Sequence, residues 1–168
     1  MTRRFIFDTS SIIVLAEIGC LQLFCDLLPN VYVTSKVLDE ISVKPLVVKK
    51  AVQELISQGK IGVIDVPFNN ATIIALYSKL GLHTGEISVL LAADKANDIV
   101  IFDDAVARTV ARAEGFTLTG LLGLLVQLRR SGKLSKDESL AILSAINSTN
   151  FRMTAALYEA ILKELTTE

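Results

Sequence analysis

Five short apolar runs punctuate this chain at intervals filled by helical patterns: RFIF (4–7), VYV (31–33), IGVIDV (61–66), IVIF (99–102) and FTLT (116–119). No other feature constrains the fold as much. Runs that are apolar at successive positions, rather than at every second one, suit strands buried on both faces. Parallel strands need crossovers long enough for a helix, and the intervening segments have that character. TSSIIVLAEIG carries Ser10 or Ser11 as a candidate N-cap and Gly19 as a stop, and TSKVLDEI carries Thr34 or Ser35 as its cap. Pro45 opens a helix to about Gln58, and further helices are expected over 70–80, 84–95, 105–114 (closed by Gly115) and through GLLGLLVQLRRSG. SKDE (135–138) has the form of a capping box, and 153–165 reads as a final amphipathic helix.

The fold predicted from this alternation is a three-layer α/β/α sandwich around a central parallel sheet of about five short strands. A chain of 168 residues suits one domain, taken here as 1–168, with 133–168 as a C-terminal helical extension packed on it. With 51% hydrophobic residues and a mean hydropathy of +0.51, disorder is excluded. No window offers the roughly 18 uninterrupted apolar residues of a spanning helix, and Asp8 falls where an export signal needs its apolar centre. A cytoplasmic protein without a membrane anchor is expected. Cys20 and Cys25 match no zinc or redox spacing and suit small core thiols in a reducing compartment. The apolar excess points to a homodimer through IIVLAEIGCLQLF, TLTGLLGLLVQL or both. A net charge of −1 gives no global basic field, so a polyanion must be held by local cations or metal ions.

The strand ends carry the chemistry. Asp8 follows the first apolar run, and Asp103 and Asp104 follow the fourth directly. In a parallel sheet these ends share the edge where ligands bind. Two more acids sit in apolar helical surroundings: Glu86 in LHTGEISVLLAA and one of Asp39 and Glu40 in KVLDEI. Taken singly, each acid is explained by helix capping or by the helix dipole. Gathered at one edge, they would repel and raise one another's pKa values unless cations bind, and hard divalent ions suit oxygen ligands. Such a site can activate water and stabilise a phosphodiester's leaving oxygen. Other chemistries fit poorly. His83 is the only histidine, and it suits a loop position better than a base. No Gly-x-Ser-x-Gly elbow, P-loop or Gly-x-Gly-x-x-Gly is present, and an aspartyl-phosphate enzyme would want an acid where Ser10 stands.

FDTSSIIVLAEIG, VYVTSKVLDEI, LHTGEISVLLAA and IVIFDDAVARTVARAEGFTLTGLLGLL together resemble, in order and spacing, the signature segments of the PIN-domain superfamily. More narrowly they resemble its VapC-like branch with Gly-Glu and Asp-Asp-x-x-Ala-Arg motifs. The resemblance runs from about Arg4 to Arg130 and extends loosely through the C-terminal helices. It implies an endoribonuclease dependent on Mg²⁺ or Mn²⁺, cleaving single-stranded RNA to 3′-hydroxyl and 5′-phosphate ends. It also implies a toxin held by a small cognate antitoxin protein. Matched residue by residue, Asp8, Glu40, Glu86 and one of Asp103 and Asp104 fall on the family's acidic positions, with Asp8, Glu86 and Asp103 or Asp104 as metal ligands. Ser10 falls on the small hydroxyl residue beside the first acid. Many relatives carry Thr-x-Asp or Thr-x-Asn at the last acidic position, so IFDDAVAR leaves open which of Asp103 and Asp104 is the ligand. Arg108, one turn beyond, suits a partner to the acids, a contact to RNA phosphate or an ordinary surface cation. Lys44, Lys49, Lys50, Arg112, Arg129, Arg130 and Lys133 are further candidate RNA contacts. A catalytically weak PIN-like module that binds RNA or protein is the alternative.

Overall fold

Strand β1 (Phe5–Phe7) lies in the middle of a five-stranded parallel sheet. On one side are β2 (Val31–Thr34) and β3 (Ile61–Ile64), on the other β4 (Ile99–Ile101) and β5 (Thr117–Thr119), giving the order β3-β2-β1-β4-β5. These details come from a computed structural model that describes residues 3–167. Phe5 is in register with Val31 on one neighbour and Ile99 on the other, while Phe7 is aligned with Ile101. The three central strands therefore finish at one edge. The chain steps outward from β1 to β3, then returns to the other side of β1 to begin β4. The progression of strands thus reverses between β1 and β4, the place where open α/β sheets bind ligands.

Ten helices flank the sheet among the described residues, giving the expected three layers. They are α1 (Thr9–Glu17), α2 (Leu21–Leu27), α3 (Ser35–Ser42), α4 (Leu46–Ser57), α5 (Ala71–Lys79), α6 (Thr84–Ala92), α7 (Ala105–Ala113), α8 (Leu121–Arg130), α9 (Lys136–Asn147) and α10 (Ala155–Thr166). Ile6, Val33, Val100, Ile101 and Phe102 are wholly buried, as unbroken apolar strands require. The predicted caps hold at Thr34, which accepts from the Val37 amide, and at Ser135, which forms a capping box with Glu138. Helices α9 and α10 pack against each other and on α8.

Three features differ from the sequence reading. The cap of α1 is Asp8, not Ser10 or Ser11, because the helix begins at once after the strand and leaves no room for a linker. Gly19 does stop α1, in a left-handed conformation (φ +70°), but the chain then enters α2 as a separate helix bent by 114°. The third concerns the proposed dimer face. Ile12, Leu15, Leu21, Phe24, Leu121, Leu124 and Leu125 are buried within the monomer, so α1, α2 and α8 hold most of their apolar residues in the core, while Ile13, Ile18, Leu23 and Leu27 stay half-buried. The most exposed large apolar side chains lie elsewhere: Val43, Leu46 and Val47 around the α3–α4 turn, and Leu76 and Leu80 at the end of α5. No single helix among the described residues is long and apolar enough to cross a membrane.

At the opposite edge, Arg4 clamps the starts of β1 and β4. Its Nε and Nη2 donate to the two carboxylate oxygens of Asp98, at 2.9 and 2.5 Å, and the Asp94 amide adds a third bond at 2.7 Å. Asp98 is buried, so removing the guanidinium strands a charge without its partner. Arg4→Ala is expected to lower the unfolding free energy by about 2 kcal/mol. Urea denaturation of the two proteins measures this directly.

Candidate functional site

The register of β1 and β4 brings Asp8 beside the chain that leaves β4, and the Asp8 amide donates to the Ile101 carbonyl at 3.3 Å. Asp8 is buried at 3% exposure. Its Oδ1 accepts from the Ser11 amide (3.2 Å) and its Oδ2 from the Ser10 hydroxyl (3.0 Å). Across the gap, Asp103 accepts from the Leu121 amide (2.8 Å) and the Ser11 hydroxyl (2.5 Å). Burial, reinforced by the charge of Asp103, pushes the Asp8 carboxyl up to about 8 against the pull of the Ser11 amide and Ser10 hydroxyl. Burial also raises Asp103, opposed by the Ser11 hydroxyl, the Leu121 amide and the charge of Arg108.

A second group of acids faces the first. Asp39 is exposed and pairs with Lys36, so the acid of α3 that borders the edge is Glu40. Glu40 accepts from the Gly85 amide at 2.8 Å and from the Thr9 hydroxyl. A Cβ at position 85 would stand 2.7 and 2.9 Å from the Glu40 oxygens, which explains why glycine precedes Glu86. Behind it, the Ser88 hydroxyl donates to the Gly85 carbonyl (2.6 Å) and lies 2.5 Å from the Thr34 hydroxyl, tying α6 to the end of β2. Glu86 is buried, and its Oε2 accepts from the His83 amide at 2.9 Å. Burial raises its pKa, with the charges of Asp104 and Glu40 adding to the effect. His83 itself is exposed and contributes backbone here.

The adjacent aspartates divide between the two groups. Asp103 faces Asp8, whereas Asp104 caps α7 through the Val106 and Ala107 amides and its charge acts on Glu86. Arg108 lies against Gly120, where a Cβ would meet both Arg108 Nη1 (2.6 Å) and Asp103 Oδ1 (2.7 Å). Ser10 is exposed beside Asp8. Every predicted site residue thus reaches the same sheet edge. As placed, however, no three His, Cys, Asp or Glu side chains among the described residues converge closely enough to share one ion. Each acid keeps its own protein donors.

Of the candidate RNA contacts, Arg112, Arg129 and Arg130 sit in the last turns of α7 and α8, which start at the acidic edge and run away from it. Arg130 pairs with Glu164, and Lys133 donates to the Leu27 carbonyl. The sequence reading missed Thr9, Ser11, Gly120 and the Leu121 amide as partners of the acids. The run of three hydroxyl residues after Asp8 was the available signal.

Residues 4–167 match the model of a family described as PIN domain. The chain belongs to the PIN-domain family. No curated protein matches it. PIN domains are generally nucleases and typically use divalent metal ions. The donor set of this PIN domain suits such an ion: every candidate ligand is a carboxylate, and the most buried of them, Asp8, faces a second acid.

The raised Asp8 pKa sets a sign for pH dependence. Folded Asp8 keeps its proton up to about 8, whereas the unfolded chain releases it near 3.8. Its contribution to stability is therefore complete below about 4 and is lost as pH rises through about 8. Glu86 and Asp103, raised in the same direction, add to this trend. With chelator present, thermal melts are expected to show a lower Tm at pH 8 than at pH 5. Asp8→Asn should shrink that difference and melt above the wild type at pH 8.

Proposed function

We propose that this PIN domain is a metal-dependent endoribonuclease that cleaves single-stranded RNA, the toxin of a cytoplasmic toxin–antitoxin pair. The observation that carries the reading is the buried Asp8 carboxylate opposed by Asp103 at the β1–β4 reversal, with Glu40, Glu86 and Asp104 on the facing side. Asp8, Asp103, Asp104 and Glu86 would hold Mg²⁺ or Mn²⁺. A divalent ion bound there supplies charge for the phosphodiester's developing negative oxygens and lowers the pKa of water. Glu40, held by the Gly85 amide and the Thr9 hydroxyl, would accept a proton during cleavage. Arg108, whose charge acts on Asp103, would meet an incoming RNA phosphate. The antitoxin and any second copy of the chain would cover the apolar residues exposed around the α3–α4 turn and the end of α5.

The alternative is a PIN module that binds RNA or protein without catalysis. Its support is the separation of the acids into two groups, each satisfied by protein donors. Mn²⁺ calorimetry and RNA cleavage separate the two readings. For the nuclease, Mn²⁺ binds and stabilises the protein, by about 2.7 kcal/mol at a concentration 100 times its Kd. Asp8→Asn is expected to lose cleavage and metal stabilisation while folding normally, because Asn preserves the cap and, like protonated Asp8, carries no charge to repel Asp103. Full activity and metal stabilisation in Asp8→Asn would refute the nuclease site assigned here.

A further inference from the structure

Buried serines in helices ordinarily donate back along their own helix. Two in this chain do so. Ser88 donates to the Gly85 carbonyl and Ser139 to the Ser135 carbonyl, and both are wholly buried. Ser11 is equally buried, yet its hydroxyl leaves the helix and reaches Asp103, 92 residues away in the chain. Its amide meanwhile donates to Asp8. One residue therefore touches both carboxylates at the strand reversal, through different atoms. The neighbouring hydroxyls diverge, Thr9 to Glu40 and Ser10 to Asp8. Successive side chains on a helix point about 100° apart, so three adjacent hydroxyls naturally fan out toward separate targets.

We propose that Ser11 is a positioning residue of the metal site, holding Asp8 by its amide and Asp103 by its hydroxyl so that both carboxylates are presented to one divalent ion. The proposal rests on the nuclease reading above. Asp103 is gripped from two sides: the Leu121 amide takes Oδ1 and the Ser11 hydroxyl takes Oδ2. Without the hydroxyl, the carboxylate is free to swing about its remaining bond. The hydroxyl also donates to a group that only accepts when ionised, so it favours the charged form that binds a cation. Groups that orient metal ligands in this way commonly change metal affinity or activity by about 10–100-fold when removed.

The test compares the wild type, Ser11→Ala and Ser139→Ala, the last removing an equally buried hydroxyl far from the acids. Mn²⁺ affinity is read by calorimetry, and RNA cleavage is followed across a Mn²⁺ titration. The proposal expects Ser11→Ala to bind Mn²⁺ about 10–100-fold more weakly and to need correspondingly more metal for half-maximal cleavage. At saturating metal its kcat should recover to within a few-fold. Ser139→Ala should lower Tm without moving the Mn²⁺ midpoint. If Ser11→Ala does not fold, Ser11→Cys, which keeps the shape with a weaker donor, is measured by the same criteria. Unchanged Mn²⁺ affinity in the Ser11 variant, beside a wild type that binds, overturns this inference and leaves the nuclease reading standing. A wild type that takes up no Mn²⁺ overturns both.

Discussion

A buried carboxylate and a half-buried one, facing each other across adjacent parallel strands, are the constraint around which this molecule is arranged. Asp8 and Asp103 come together because β1 and β4 are neighbours in register and each is followed almost at once by an acid. The arrangement opposes folding: burial disfavours both charges, and the charge of Asp103 further disfavours that of Asp8. The surroundings respond with donors rather than cations. Backbone amides from Ser11 and Leu121 and hydroxyls from Ser10 and Ser11 surround the pair, while the nearest guanidinium, that of Arg108, acts on Asp103 by its charge. Neutral donors hold carboxylates in place without cancelling their charge, so the site keeps its attraction for a hard cation.

The facing group of acids follows the same logic with different parts. Gly85 supplies an amide to Glu40 at a distance that no Cβ would allow, and Ser88 and Thr34 fix the peptide from behind. The Gly-Glu pair is thus a bracket in which the first residue orients an acid from another helix and the second contributes its own. Gly120 has a comparable place next to Asp103 and Arg108.

Much of this was legible in the chain itself. Strand positions, the parallel sheet and the caps at Thr34 and Ser135 follow from local pattern, since unbroken apolar runs and capping residues report directly on burial and on helix ends. The acids at strand ends were legible for a similar reason, because parallel strands must share an edge. What the pattern concealed depends on contacts between distant segments. Ser10 and Ser11 look like caps, yet the helix begins one residue after the strand and Asp8 takes that role. The apolar surplus of α1, α2 and α8 reads as an interface, but burial in the core accounts for most of it. Nothing local distinguishes a Leu that faces a neighbouring helix of the same chain from one that faces another molecule. The choice between Asp39 and Glu40 likewise turned on Gly85 and Thr9, 45 and 31 residues away from Glu40.

The single run Thr9-Ser10-Ser11 contacts acids drawn from three separate parts of the chain. During folding, β1, α1 and β2 can assemble from contacts close in sequence, but Asp103 arrives only when the chain has crossed back to lay β4 against β1. Closing so long a loop is slow compared with local steps. The repulsion between Asp8 and Asp103 therefore acts only once β4 has paired with β1. The chain ahead of β4 carries the hydroxyls and Asp8, Glu40 and Glu86, and the cleft is complete only with the acids that follow β4.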